Sequence, residues 1–98
     1  MHRHKTYDEE LAKDLQDGEF AKEFLLSLME GEEGLDPLSA LKHAIRRMGV
    51  KEFSEKAQIP YESVCRMLES QRPPKLDTLN RYFFPFGLKI KLTLDDAA

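Results

Sequence analysis

Proline and glycine punctuation limits this chain to short helices before any other feature is considered. Asp36-Pro37, Gly49, Ile59-Pro60, Pro73-Pro74 and Pro85 divide its C-terminal two-thirds into short segments. Proline lacks the N–H that a helix interior needs and pushes the residue before it out of the helical region. Glycine readily takes the left-handed conformation that closes a helix. Within each segment the apolar residues recur at three and four positions, the spacing of an amphipathic helix with one buried stripe.

That spacing predicts a helix over residues 8–16, with Leu11, Ala12 and Leu15 on one face and Asp17-Gly18 interrupting it. A second covers residues 19–30 and carries Phe20, Phe24, Leu25, Leu28 and Met29. Gly31-Glu32-Glu33-Gly34 then reads as a polar, flexible connection. The third opens at Asp36-Pro37, where a carboxylate suits the N-cap and a proline the first turn. Its stripe is Leu38, Leu41, Ala44, Ile45 and Met48; Arg46 and Arg47 complement the negative end of its dipole, and Gly49 closes it. Three shorter helices follow over residues 50–57, 61–69 and 76–83. Phe53, Ser54 and Ala57 face inward from the first of these, and Val64, Met67 and Leu68 from the second. Leu76, Leu79, Tyr82 and Phe83 do so from the third, which Pro85 stops.

After Gly87 the period changes. Leu88, Ile90, Leu92 and Leu94 alternate with Lys89, Lys91 and Thr93, the pattern of a half-buried strand. A lone strand has no ladder partner in its own chain. The same segment of a second copy, or a partner's sheet edge, would satisfy it, so Ile90, Leu92 and Leu94 are the expected dimer or partner strand.

A chain of 98 residues with 41% hydrophobic and 34% charged content builds one modest core, and a second copy is a natural way to enlarge it. The single cysteine, Cys65, excludes an internal disulfide and fits a reducing compartment. No apolar run suits a membrane span or a signal peptide, so the expected compartment is the cytoplasm. Residues 1–40 hold four Lys/Arg against eleven Asp/Glu and residues 41–98 eleven against seven, so −7 and +4 make up the net −3. The C-terminal portion therefore tolerates a polyanion and the N-terminal portion does not.

The segments over 50–57 and 61–69 fit the plan of a helix-turn-helix, two short helices joined by a tight turn. The close approach of the two helices demands small residues, which Ser54 and Ala57 supply, while Ile59 can plug the turn into the core. A recognition helix enters the major groove with its N-terminal part against the base edges. Tyr61, Glu62, Ser63 and Arg66 are then the base-contact candidates, and Lys51, Arg72 and Lys75 the phosphate contacts. Arg66 has an alternative as a solvated arginine near Glu62 and Glu69, and Ser63 as a solvent-facing filler.

From Gly49 to Leu88 the chain resembles the lambda-repressor-like helix-turn-helix domains, in particular their addiction-module antidote branch. The likeness lies in Ser54, Ala57, Ile59, Val64 and Leu68, then in Pro74 ahead of Leu76, Thr78 and Leu79, and in Gly87-Leu88. Phe20-Ala21, Phe24-Leu25 and Ala40-Leu41 extend it toward the N-terminus. The resemblance implies a mainly α fold: a helix-turn-helix bundle with N-terminal helices and a single C-terminal β-strand. It divides the chain into an N-terminal helical extension over residues 1–35 and a DNA-binding domain over residues 36–98. It also implies a homodimer on a double-stranded DNA operator and a RelE-like toxin as partner, with no enzymatic activity and no membrane contact. Three departures stand out: Gln58 where the turn usually has glycine, Pro60 where a Ser/Thr cap is usual, and Gln71-Arg72 in place of a glycine-containing loop. Val50 also replaces a phosphate-contacting glutamine. Gln58, Pro60 and the acidic residues of the recognition helix motivate the alternative of a protein-interaction module that keeps the fold and has lost DNA binding.

Other features carry bland readings. Cys65 is a small inert residue, His2 and His4 belong to a tail without further metal ligands, and His43 has no catalytic partner nearby in sequence. No cofactor or metal site is expected. Phe83, Phe84 and Phe86 are core or dimer contacts, and the acidic run from Glu30 to Asp36 is a solvated loop or a toxin-facing surface.

Overall fold

The computed structural model describes residues 7–91. The protein is mainly helical: α1 (Tyr7–Asp14), α2 (Gly18–Leu28), α3 (Pro37–Met48), α4 (Val50–Ala57), α5 (Tyr61–Glu69) and α6 (Leu76–Phe83), closed by a 3-10 turn at Phe84–Phe86. The punctuation falls at the boundaries. Asp17 is the N-cap of α2, its carboxylate accepting from Glu19 N–H at 3.0 Å. Asp36 does the same for α3 through Ser39 N–H at 3.1 Å, with Pro37 in the first turn. Hydrogen bonds from Ser39 hold the Asp36 carboxyl below its ordinary value. Gly49 ends α3 and starts α4 at φ 110°, ψ 125°, a conformation closed to residues with a Cβ.

The connection before α3 folds back tightly. Gly34 N–H donates to Gly31 C=O, and Leu35 N–H reaches Leu28 C=O at 2.7 Å. A Cβ on Gly34 would lie 2.4 Å from the carbonyl oxygen of Met29, so this approach requires glycine.

Helix α3 is the central element, packed against α1, α2 and α4. It buries Ala40, Leu41, Ala44, Ile45 and Met48, the inward stripe that its sequence displays. Leu11 of α1, Leu15 just after it, and Ala21 and Leu25 of α2 join the same cluster as Val64, Met67 and Leu68 of α5. Phe53 lies at the C-terminal end of that core, stacked on Tyr82 and Phe86 with ring centroids 5.9 Å from each.

Several expectations need correction. The four described residues of the expected strand, 88–91, form no strand, and none occurs among the described residues; Leu92 and Leu94 lie outside them. The alternation is nevertheless real, since Leu88 and Ile90 are half-buried while Lys89 and Lys91 are exposed. In place of a ladder, the Asn80 carboxamide takes both main-chain groups of Ile90: Ile90 N–H donates to Oδ1 at 2.7 Å and Nδ2 donates to Ile90 C=O at 3.1 Å. Helix α6 does end at Phe83, ahead of Pro85, which sits within the 3-10 turn that follows, where its missing N–H costs nothing. Phe83 and Phe86 are core, whereas Phe84 is 79% exposed; Phe20 and Leu76 also lie largely outside the core.

Candidate nucleic-acid interface

The turn between α4 and α5 is held from within. Ser54 C=O accepts from the N–H groups of both Gln58 and Ile59. The Ser54 hydroxyl donates to Ile59 C=O at 2.6 Å, a buried bond that only a small residue in this place leaves room for. Ile59 is thereby pinned with its side chain in the core. The geometry comes at the expense of Gln58, which stands at φ 57°, ψ 43° and is the only non-glycine residue with positive φ among those described. Of the two ways Gln58 could replace the usual glycine, a left-handed conformation or a different turn, the left-handed one is present. Pro60 then precedes α5 without a side-chain cap, as its chemistry dictates. The first-turn N–H groups and the positive dipole end of α5 thus carry no capping side chain.

Helix α5 has two unlike faces. Val64, Met67 and Leu68 are buried; Tyr61, Glu62, Arg66 and Glu69 are exposed, and Ser63 and Cys65 lie between. Tyr61 is 53% exposed. A side-chain hydrogen bond with Cys65, one turn on, raises its phenol above the ordinary value.

Two clefts flank this face. On one side Ser63, Arg66, Arg72 and Thr78 rim a cleft of about 300 Å³, with Pro73, Pro74 and Tyr82 in its walls. On the other, Lys51, Ser54, Glu55 and Tyr61 line one of about 430 Å³. The candidates of the sequence reading therefore fall into two groups sharing α5. Ser63, Arg66 and Arg72 meet in the first cleft, and Tyr61 and Lys51 meet in the second. Glu62 and Lys75 are exposed and line neither. Lys75 immediately precedes α6, at its N-cap.

Some contributors were not legible in the sequence. The Tyr82 hydroxyl donates to Ser63 C=O at 3.2 Å, tying the middle of α5 to α6; burial raises the Tyr82 phenol above its ordinary value. Thr78 and Ser70 line the first cleft. Arg46, expected to serve the end of its own helix, instead donates from Nη2 to Leu68 C=O of α5 at 3.0 Å. Only the i, i+4 spacing of Lys42 and Arg46 beside the buried stripe hinted at a shared direction.

Among the described residues no helix is long and apolar enough to cross a membrane, and no three His, Cys, Asp or Glu side chains gather as a metal site. A scan against protein-family models, a search of curated proteins and a search of solved structures each return no match for this chain.

Proposed function

We propose that α4 and α5 form a helix-turn-helix and that the protein is a sequence-specific, duplex-DNA-binding regulator. The observation that carries this reading is the division of α5. Its apolar side is buried in the core, while Tyr61, Glu62 and Arg66 are exposed, with Lys51 sharing a cleft with Tyr61, Arg72 sharing one with Arg66, and Lys75 exposed at the start of α6. A helix is about 10–12 Å across with its side chains, which a major groove about 12 Å wide admits. In that pose Arg66 forks onto a guanine, Tyr61 and Ser63 meet neighbouring base edges, and Glu62 accepts from a cytosine amine. The uncapped end of α5 points its dipole at the duplex, and the flanking cations take phosphates.

The resemblance to addiction-module antidotes extends the proposal to an antitoxin that represses its own operon as a homodimer in the cytoplasm and binds a small RelE-like toxin. The exposed Phe84, followed by the segment containing Ile90, Leu92 and Leu94, is the surface we assign to the second copy or to the partner.

The test is a duplex selected from a random pool, followed by fluorescence anisotropy at several salt concentrations. Arg66→Ala is expected to weaken the selected site by about 5- to 150-fold, the equivalent of 1–3 kcal/mol, and to spare unrelated duplexes. Lys75→Ala should weaken all duplexes alike and lower the slope of log K against log salt by about 0.9. Failure of the wild-type protein to bind any duplex at low salt refutes the reading.

One observation favours a second reading. Glu62 and Glu69 stand exposed on the same face of α5, where phosphates repel them and a basic protein does not. A protein-interaction module of this fold would capture a small basic partner through α5 without binding DNA, and undiminished capture by an α5 surface variant would exclude that route.

A further inference from the structure

We infer that Lys42 and Arg46 of α3 are positioning residues for duplex recognition, setting the C-terminal end of α5 and the loop that carries Arg72, and are not phosphate contacts. The inference rests on the DNA-binding reading and concerns how the reading helix is aimed.

The last carbonyls of a helix lack partners within it, and helices commonly close on a glycine in the left-handed conformation. Helix α5 does not. Its C-cap is Ser70 at φ −72°, ψ 139°, and Gln71-Arg72 follows in place of glycine. The Ser70 N–H returns to Met67 C=O at 3.3 Å, a long bond. The next carbonyl, Leu68 C=O, accepts from Arg46 Nη2 at 3.0 Å. Beyond the helix, Ser70 C=O accepts from Lys42 Nζ at 2.8 Å. Both donors are cations at the negative end of the α5 dipole, where a positive charge is favoured. They are spaced i, i+4, so one face of α3 delivers both.

The grip continues into the loop. The Ser70 hydroxyl donates to Arg72 C=O and accepts from Arg72 N–H, both at 3.1 Å. A line of hydrogen bonds therefore runs from Lys42 through Ser70 to the backbone of Arg72, on the rim of the cleft that Arg66 shares. The other end of α5 is set by Ser54 and its middle by Tyr82; at the third point Met67 and Leu68 pack into the core, and the α3 cations are what engage the Leu68 and Ser70 carbonyls. Arg46 retains an exposed surface, so accessibility does not separate aiming from phosphate binding. Salt does, because a charge already engaged by carbonyls displaces no counterion from the duplex.

The experiment compares Lys42→Met, Arg46→Met and Lys75→Met, with Lys42→Arg and Arg46→Lys as conservative variants that keep charge and donor. Anisotropy is read on the selected duplex and on an unrelated one across a salt series. Amide hydrogen exchange is measured at residues 68–72 in the free protein. Both Met variants at 42 and 46 should lose about tenfold on the selected duplex, hold the unrelated duplex within about twofold and leave the salt slope unchanged. Lys75→Met should lower both affinities and reduce the slope by about 0.9. Exchange at 68–72 should quicken in the Met variants at 42 and 46 and return toward wild type in the conservative ones. A slope reduced by about 0.9 in Arg46→Met, or an unchanged selected-site affinity, overturns the inference. If the wild type binds no duplex, the functional reading falls and the aiming role with it; the exchange data then decide the grip alone, and unaltered protection at 68–72 abolishes that as well.

Discussion

Replacing Gln58 by glycine should make this protein more stable, an unusual direction for a substitution that removes a side chain. Gln58 is exposed and stands at φ 57°, ψ 43°, where an L-residue brings its Cβ against the following carbonyl at roughly 1–2 kcal/mol. Glycine relieves that contact but enlarges the conformational freedom of the unfolded chain, which returns roughly 0.5–1 kcal/mol. The net gain lies between about 0 and 1.5 kcal/mol, and its midpoint of about 0.75 kcal/mol is a rise of about 3–6 °C in melting temperature for a domain of this size. Urea denaturation followed by circular dichroism at the helical minimum measures it, with thermal melting as a check. Gln58→Ala is the control, since alanine keeps the Cβ and should give no gain, and Gln58→Asn should fall between, asparagine being the residue that best tolerates this region. The denaturant slope should stay constant across the series, because the surface exposed on unfolding barely changes. A glycine variant no more stable than the alanine variant would refute the strain argument, and with it the assigned geometry of the turn between α4 and α5.

Three further perturbations test the remaining supports. Ser54→Ala removes the buried hydroxyl bond and leaves Ile59 C=O one partner short, so equilibrium unfolding should show a loss of about 1–3 kcal/mol. Phe53→Ala empties the site stacked between Tyr82 and Phe86 and should cost about 3–5 kcal/mol, a large share of the 5–15 kcal/mol typical of a small domain; calorimetry would register a collapsed transition. Asp36 titrates below its ordinary 3.8 in the folded state, so its stabilisation is complete above that value and disappears as pH falls through the lower, folded one. Asp36→Asn keeps an oxygen for the α3 cap and should flatten the acid limb of the melting-temperature profile below about pH 3.8, while an unchanged limb would assign it to other carboxylates.

The helices were legible because their information is local. A three- and four-residue apolar period, a carboxylate before Pro37 and a glycine after Met48 act within a turn or two of chain, and the six helices lie where those signals put them. The inward positions Ser54, Ile59, Val64 and Leu68 and the exposed positions Tyr61, Glu62 and Arg66 follow from the same periodicity. At Gln58 the sequence left two choices, a left-handed residue or a different turn, and the structure has the first. The strand expected over residues 88–94 is absent from its described part, 88–91, because alternation reports which side of a chain is covered, not what covers it; here the cover includes the core and the Asn80 carboxamide.

What only the tertiary structure decided are the contacts between elements distant in sequence. Periodicity does not reveal that Arg46 reaches Leu68, 22 residues on, or that Lys42 reaches Ser70, 28 residues on. Nor does it reveal that Tyr82 secures Ser63 or that Phe84, between two core phenylalanines, faces outward. Each depends on the packing of one helix against another, and the sum of many small side-chain volumes sets that packing. A local pattern states which face of a helix turns inward, whereas the partner met there is chosen by the whole core at once.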